Sequence, residues 1–208
     1  MYLQNHVLRE ILNLIERDNR SRRKFASKWY SVVNYLYHNT GLSMDRIAQA
    51  SSVAKNTSLN SSDLDVIFSL SPDQSRAQLY PRLVEQFQTG YGEMARVAQD
   101  ATAIHIKFNT DIEINVTLLT QSDFNSQYDG VQEIKQLNHA QQNAITLMKF
   151  AFEQAGIINS IPEYKIEKIA FLFDITDLAT LVEEIINQLN FDTNRAGLST
   201  FNVISYLR

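Results

Sequence analysis

The chain has 208 residues, of which 44% are apolar and 20% are charged, and its formal charge is −4 at pH 7. This balance is typical of a globular protein, and the absence of cysteine excludes a disulfide framework, a cysteine zinc site and a thiol nucleophile. Because the net charge is negative, the protein as a whole does not attract nucleic acid. No apolar run approaches the roughly 20 residues that are needed to cross a bilayer. The sequence therefore predicts a cytoplasmic protein with no membrane partner.

Helical and extended patterns alternate in the first half of the chain. Helical spacing of apolar residues predicts one helix at the start and a second through 29–37. A strand is predicted over Asp63–Leu70, because polar and apolar residues alternate there before the pattern becomes continuously apolar. A further helix is predicted over Pro81–Gln99, with Gly90 and Gly92 weakening its middle.

A strand pair and then helices are predicted for the second half. The segments 103–108 and 112–118 have strand patterns and are separated by the compact turn Asn109–Asp111, so we expect a hairpin. The chain has a helical pattern from Val131 onward. The main predicted helices are 138–155, 164–171 and 176–189.

This order of elements predicts an α+β protein with two domains. Residues 1–125 would combine the N-terminal helices with a small mixed sheet, and residues 126–208 would form a C-terminal helical domain. The sequence contains no internal repeat that would indicate a solenoid instead.

The residues with the most chemistry lie between Ser51 and Val66. Asp63 and Asp65 are two residues apart on a predicted strand, so both carboxylates project from one face. Two aligned carboxylates can hold a hard cation such as Mg²⁺, and the preceding Ser/Thr-rich loop offers hydroxyl and N–H groups to phosphates. Such an arrangement suits phosphoryl or nucleotidyl transfer. The alternative interpretation is a solvated strand end.

The segment resembles the signature of polymerase-β-like nucleotidyltransferases, in which Gly-Ser opens a loop and Asp-x-Asp follows on the next strand. It is most similar to the branch with 2′-5′-oligoadenylate synthetases and cyclic-dinucleotide synthases. The matching residues are Ser52, Lys55, Thr57, Leu59, Ser62, Asp63, Asp65 and Val66. The resemblance implies that Asp63 and Asp65 are catalytic metal ligands. It also implies a set of nucleotide-binding residues, namely Ser51, Ser52, Lys55, Thr57 and Ser62.

Later parts of the chain extend the resemblance to about Glu167. The segment Ile112–Thr117 is similar to the strand of the family that bears a third catalytic carboxylate. Lys149 resembles a lysine that binds the triphosphate, and Tyr164 lies in a segment similar to the start of the following helix. The resemblance therefore adds Lys149 and Tyr164 to the expected nucleotide-binding residues.

Four departures from the family pattern fall on functional positions. Ser51 and Asn56 stand where the family has loop glycines, and a side chain restricts the backbone there, although asparagine tolerates a left-handed conformation. Asn115 replaces the third carboxylate; an amide ligates a metal weakly and does not accept a proton as an ionised aspartate does. Glu163 replaces a serine and repels a triphosphate unless a metal or Lys149 neutralises it.

One carboxylate could substitute for the one missing at Asn115. Glu113 lies two residues earlier and on the same face of a regular strand, so one hypothesis makes it the third catalytic carboxylate. Asp111, in the turn, is a poorer candidate. The other hypothesis is that Asp63 and Asp65 bind nucleotide and metal without efficient transfer.

A basic run between Arg17 and Lys28 has two interpretations. It is a solvated helix face, or it guides an RNA or DNA strand through Arg20, Arg22, Arg23 and Lys24. Three nearby tyrosines either stack on bases or pack in the core, namely Tyr30, Tyr35 and Tyr37. The four histidines share no metal-ligand spacing, so the sequence predicts no histidine zinc site, and His139 is expected to pack or cap its helix.

Together these features predict a nucleotidyltransferase fold with an NTP and Mg²⁺ or Mn²⁺ between its halves. The first hypothesis is an enzyme that transfers a nucleotidyl group from NTP to a hydroxyl of a nucleotide or RNA and releases pyrophosphate. The second is a catalytically degenerate subunit that binds a nucleotide or a protein partner. The four departures favour the second hypothesis, and the retained Asp63 and Asp65 favour the first.

Overall fold

A computed structural model describes most of the chain, and its residues group into two compact units. The described residues are 3–18, 22–40, 46–59, 63–110, 112–157, 161–195 and 204–207. The first group, which we call the helical unit, comprises 1–20, 56–60 and 133–208, and the second, the sheet unit, comprises 21–55 and 61–132. The division into domains at residues 125 and 126 stays a prediction.

A five-stranded mixed sheet forms the centre of the sheet unit. Its strands are β1 (Ile47–Gln49), β2 (Leu64–Ser69), β3 (Ala95–Gln99), β4 (Ile104–Phe108) and β5 (Glu113–Leu119). Their order across the sheet is β1-β2-β5-β4-β3, with β2 parallel to β5 and the other pairs antiparallel. The predicted hairpin is confirmed, because β4 and β5 are antiparallel neighbours.

One face of the sheet is apolar and carries the core of this unit. Alternate residues of β2, β5 and β4 are buried on it, as period-two patterning requires. They pack in one cluster with residues of two helices, α2 (Arg22–Thr40) and α3 (Arg76–Tyr91). The largest fully buried side chains of this cluster include Phe68, Leu83, Phe87, Ile104 and Ile114.

The predicted helix over Pro81–Gln99 is wrong at both ends. Helix α3 begins at Arg76, with Pro81 inside it, and ends at Tyr91. Gly92 has a φ of 51° and a ψ of −126°, a backbone conformation that residues with a side chain rarely adopt, and its N–H donates to Gln88 O. Gly92 therefore follows the end of the helix, Gly90 lies in its last turn, and residues 95–99 form strand β3 by pairing with β4.

A close contact between α2 and α3 explains why residue 90 is a glycine. The Tyr35 ring lies against Gly90, stacks on Phe87 and approaches Tyr91, with ring centroids 5.3 and 5.7 Å away respectively. The Tyr35 hydroxyl donates to Gln86 O. Tyr35 is therefore a packing residue, whereas Tyr30 and Tyr37 are exposed.

The helical unit is organised around a largely buried helix. Helix α5 (His139–Gln154) packs against α1 (Asn5–Asp18), α6 (Glu163–Leu172) and α7 (Leu178–Arg195), and helix α4 (Gln121–Lys135) precedes it. A capping box starts α5: Asn138 Oδ1 accepts from Gln141 N, and Gln141 Oε1 accepts from Asn138 N, both at 2.9 Å. The predicted helices 138–155, 164–171 and 176–189 are thus confirmed within a few residues, except that α7 continues to Arg195.

The first residues of the chain attach to α7 through polar contacts. Leu3 N donates to Glu183 Oε1 at 2.7 Å, and Ala179 N donates to Asn5 Oδ1 at 2.9 Å. Asn5 also donates to Asp177, which caps the start of α7 through Thr180. Helix α1 therefore packs with the C-terminal helices. No helix in the described ranges combines the length and apolarity needed to span a bilayer.

Candidate functional site

A row of polar side chains crosses the face of the sheet opposite the apolar core. Asp65 on β2 pairs in register with Asn115 on β5, and Asn115 pairs with His105 on β4. Side chains in register on neighbouring strands lie on the same face and approach closely. Asp63 comes just before β2, is exposed, and is two residues from Asp65. Asp65 and Asn115, two of the four predicted catalytic residues, therefore belong to this row, and Asp63 comes just before its first strand.

Hydrogen bonds join the row into a chain of four side chains. Asn115 Nδ2 donates to Asp65 Oδ1 at 3.0 Å. The Asn115 Oδ1 atom lies 2.8 Å from His105 Nδ1, and His105 Nε2 lies 3.0 Å from Asp100 Oδ2. Asp100 sits in the connection between β3 and β4, where its Oδ1 accepts from Thr102 N, Thr102 Oγ1 and Ala103 N. The chain thus runs from a loop anchor to a predicted metal ligand.

The partners of His105 set its protonation state. Asn115 Oδ1 has no hydrogen to donate, so His105 Nδ1 carries the proton of that contact, and the Asp100 carboxylate favours a second proton on Nε2. Hydrogen bonds to Asp100 and to Asn115 accordingly raise the pKa of His105 above its ordinary value. Hydrogen bonds from Thr102, and further ones from His105 and Ala103, lower the pKa of Asp100. Both nitrogens of His105 thus lie at hydrogen-bonding distance from an oxygen, an arrangement that favours the protonated ring.

Glu113, the predicted substitute carboxylate, lies on the same face as Asn115. It is opposite Lys107 in the β4–β5 register, and its Oε1 is 3.9 Å from His105 Nδ1. The side chain is 32% exposed, so water and a ligand can reach it. Its catalytic role stays a prediction, and Asp111 lies outside the described residues.

The predicted phosphate loop begins beside Asp65. Ala50 N donates to Asp65 O at 3.0 Å, which fixes the start of the loop to β2, and Lys55 N donates to Ser51 O at 3.2 Å within the following turn. Asn56 has a φ of 60°, the only positive φ of a non-glycine residue in the described part of the chain. Asparagine at this glycine position therefore keeps the left-handed conformation.

The hydroxyls of this loop are less accessible than the resemblance implies. Ser51, Ser52 and Thr57 are buried, and Thr57 is 0% exposed. The Oγ of Ser51 and the Oγ1 of Thr57 have no hydrogen-bond partner among the described residues. A phosphate contact by these hydroxyls requires the loop to open. Their binding roles, like that of the half-buried Lys55, stay predictions, and Ser62 lies outside the described ranges.

In the helical unit, two residues singled out by sequence contact each other. Lys149 Nζ donates to Glu163 Oε1 at 2.9 Å, with the Lys149 side chain 8% and the Glu163 side chain 38% exposed. Glu163 opens α6, and the neighbouring Tyr164 is exposed. The Glu163 carboxylate therefore forms an ion pair with Lys149, one of the two groups that the sequence predicts could neutralise it. Nucleotide binding by Lys149 and Tyr164 stays a prediction.

The proposed nucleic-acid contacts fall mostly outside what the structure describes. Arg20 is outside the described residues, and for Arg22, Arg23 and Lys24 only the helical backbone at the start of α2 is described. Lys28, at the end of the basic run, stacks its ammonium over the Phe108 ring at 4.7 Å from the centroid. This lysine therefore packs onto the sheet unit.

His105 and Asp100 are the residues that the sequence reasoning missed. The signal was present in the predicted hairpin, because a turn at 109–111 places residue 105 opposite residue 115. The hairpin does not locate Asp100, since the sequence predicts a helix that covers residues 95–99. Its position follows from the pairing of β3 with β4.

The donor set of this face fits a magnesium-type cation. Mg²⁺ prefers oxygen ligands and commonly uses one or two protein carboxylates, with water and phosphate completing the shell. Asp65 on β2 and Asp63, the exposed residue just before that strand, are two such carboxylates. Within the described ranges, no group of three His, Cys, Asp or Glu side chains is placed to hold a metal.

Comparison with known proteins identifies the fold. No protein-family model and no curated protein sequence matches the chain. Among solved structures, the chain is similar to the CD-NTase CdnG of Bradyrhizobium diazoefficiens in complex with GTP (TM-score 0.59, 11% identity, 84% of this chain and 73% of that one). It is also similar to Cid1, described by its RNA terminal uridylyl transferase activity (TM-score 0.66, 9% identity, 91% and 71%).

A third likeness is to terminal uridylyl transferase 4 from Trypanosoma brucei with bound dUTP, with a TM-score of 0.58, 11% identity, and 85% of this chain and 71% of that one covered. All three are polymerase-β-like nucleotidyltransferases. At these identities the likeness shows the fold. The chain therefore has the nucleotidyltransferase fold that its motif predicted.

Proposed function

We propose that the chain is a nucleotidyltransferase that transfers a nucleotidyl group from an NTP to a hydroxyl of a nucleotide or an RNA. The observation that supports this most is the polar row, in which Asp65 lies in register with Asn115 and Asp63 comes just before the strand that carries Asp65. The likeness to proteins described as a CD-NTase with GTP and as uridylyl transferases supports the same kind of reaction.

In this proposal Asp63 and Asp65 hold Mg²⁺ or Mn²⁺. When bound, the cation supplies positive charge to the phosphate oxygens of the NTP. Asp65 is held in place for this role, because its backbone oxygen accepts from Ala50 and its carboxylate accepts from Asn115. Asp63, being exposed, can turn toward the cation without losing a core contact.

The transfer step needs an acceptor for one proton. The oxygen of the acceptor hydroxyl forms a bond to the α-phosphorus, the bond from that phosphorus to the bridging oxygen breaks, and pyrophosphate leaves. Asn115 cannot take the hydroxyl proton, because an amide is not a base near neutral pH, and both nitrogens of His105 are already engaged by Asn115 and Asp100. We assign the proton to Glu113, the partly exposed carboxylate on the same face.

The phosphate-binding groups of this proposal are those that the resemblance implied. In the loop they are Ser51, Ser52, Lys55, Thr57 and Ser62, and in the helical unit they are Lys149 and Tyr164. Glu163 competes with phosphate for the Lys149 ammonium. We therefore expect Glu163→Gln to tighten binding of the NTP, and Lys149→Met to weaken it, each measured by calorimetry.

A second candidate function is supported by one specific contact. Asn115 directs an N–H, and not a ligand oxygen, at Asp65. An enzyme without its third carboxylate could serve as a nucleotide-binding subunit that requires a protein partner for activity. This candidate predicts NTP binding without product.

The deciding experiment measures product formation and binding on the same samples. Purified protein is incubated with each labelled NTP, Mg²⁺ or Mn²⁺, and with or without RNA or duplex DNA, and the products are separated by size. The test variant is Asp63→Asn/Asp65→Asn. The matched control is Asp129→Asn, which removes one carboxylate from an exposed position of helix α4. A thermal shift with NTP and metal accompanies each reaction.

The outcomes separate the two candidates. A product that disappears in the Asp63/Asp65 variant and persists in Asp129→Asn supports the enzyme, and loss of product in Glu113→Gln assigns the base. Stabilisation by NTP without product supports the binding subunit. If wild-type protein shows neither product nor stabilisation, both candidates are wrong and only the fold remains.

A further inference from the structure

The hydrogen-bond chain on the polar row fixes which way the Asn115 amide faces. The Asn115 side chain has one acceptor oxygen and one NH₂ group. His105 Nδ1 occupies the oxygen at 2.8 Å, and Asp65 Oδ1 accepts from the NH₂ at 3.0 Å. Turning the amide over would place its NH₂ against the protonated Nδ1 of His105. The histidine thus selects one of two amide orientations.

The orientation of His105 is in turn set by the backbone of a loop. One oxygen of Asp100 accepts from Thr102 N at 2.6 Å, Thr102 Oγ1 at 2.7 Å and Ala103 N at 2.9 Å, so the carboxylate cannot rotate freely. The other oxygen lies 3.0 Å from His105 Nε2. A chain of hydrogen bonds therefore extends from this loop to Asp65, in which each side chain contacts the next one.

The selected orientation changes what position 115 offers to a cation. An amide oxygen can ligate Mg²⁺ or Mn²⁺, whereas an amide N–H cannot. Here the Asn115 oxygen lies against His105 Nδ1, and the N–H group donates to Asp65 Oδ1. In this orientation Asn115 presents no ligand oxygen toward Asp65.

From these contacts we propose that His105, held by Asp100, is a positioning residue that keeps Asn115 as a hydrogen-bond donor to Asp65 and keeps its oxygen away from the cation. This inference rests on the proposed function for the Asp63–Asp65 cation site. It assigns to two residues a role in setting the ligands and the metal affinity of that site.

The test is Mn²⁺ binding followed by electron paramagnetic resonance of the free ion. In His105→Phe the amide can turn over and present its oxygen, so Mn²⁺ affinity rises by about tenfold, the scale of outer-shell effects on metal sites. Removal of a merely structural histidine would leave affinity unchanged or lower it. His105→Gln, which can donate to Asn115 Oδ1, keeps wild-type affinity. His38→Phe, at an exposed position of helix α2, is the matched control and changes nothing.

A double-mutant cycle separates amide orientation from simple removal of a positive charge. If the charge of His105 alone matters, the gain in Mn²⁺ affinity persists in an Asn115→Ala background. The proposed role requires that the gain vanish there. Persistence of the gain, or a loss of affinity in folded His105→Phe, overturns the proposal.

A second readout needs no metal. The side-chain NH₂ signal of Asn115 in ¹H–¹⁵N spectra is assigned by its disappearance in Asn115→Asp, and it should shift in both His105→Phe and Asp100→Asn. An unchanged signal overturns the proposed role of His105. If wild-type protein binds no Mn²⁺ while this signal shifts as expected, the cation site of the proposed function fails and the orienting contact stands.

Discussion

The contact between Gly90 and Tyr35 predicts that Gly90→Ala lowers stability, although alanine has a higher helix propensity than glycine. A Cβ at position 90 would lie 2.5 Å from Tyr35 Cε2, 2.6 Å from its hydroxyl and 2.7 Å from Cζ. Ordinary contact begins at 3.4 Å, so the ring has to move by about 1 Å. The ring cannot move freely, since it stacks on Phe87 and its hydroxyl donates to Gln86 O.

The expected cost follows from these contacts. Forcing a side chain into a packed site costs about 1–3 kcal/mol, and loss of the Tyr35 hydrogen bond adds about 1 kcal/mol. The Gly→Ala change within a helix returns at most about 1 kcal/mol. Gly90→Ala therefore destabilises the sheet unit by about 1–3 kcal/mol. Gly130→Ala, in helix α4 with nothing within 4 Å of the new Cβ, stabilises it by up to about 1 kcal/mol.

Urea unfolding followed by fluorescence measures both effects. The chain has one tryptophan, Trp29 on helix α2, so the signal reports on the sheet unit. In a Tyr35→Leu background, Gly90→Ala should cost much less, because the ring that obstructs the new Cβ is gone. The reasoning is refuted if Gly90→Ala matches or exceeds wild-type stability while Gly130→Ala behaves as expected.

Three further predictions concern titration and helix ends. The pKa of His105, followed by NMR, lies above its ordinary value near 6.5, and Asp100→Asn lowers it. Because the pKa of His105 is higher in the folded state, its stabilising effect is complete below the ordinary pKa and is lost as the pH rises through the folded-state pKa. Urea unfolding across that pH range should show this loss of stability in wild type and not in His105→Phe. Asn138→Ala removes the capping box with Gln141 and costs about 1 kcal/mol, whereas Asn138→Ser costs a few tenths, both read by thermal unfolding. Gly92→Ala places a Cβ at a φ of 51° and should lower stability by about 1 kcal/mol despite the open space around it, as urea unfolding would show.

Much of the fold could be predicted from local patterns. The helices α1, α2 and α5–α7 and the strands β2, β4 and β5 all carry periodic apolar residues over six or more positions, or lie in a hairpin with a short turn. Strand β1 has three residues, which are too few to show a period. Strand β3 follows helix α3 closely, and the helical pattern of apolar residues extends into it. Both are strands because a neighbouring strand pairs with them.

The sequence predicts which residues belong to the candidate site better than it predicts how they are arranged in space. The spacing of Asp63 and Asp65 and the alternation around Asn115 place these side chains on strand faces, which local sequence decides. That Asp65 lies in register with Asn115 depends on the parallel pairing of β2 with β5, whose partners are 50 residues apart. A local pattern carries no information about such a pairing.

By itself the sequence determined the nucleotidyltransferase motif, its fold class and the absence of a carboxylate at position 115. Only the tertiary structure decided what Asn115 does. Its amide donates to Asp65 because His105, one strand away and held by Asp100, occupies its oxygen. The role of a polar side chain depends on which donors and acceptors surround it, and here three strands and a loop supply them.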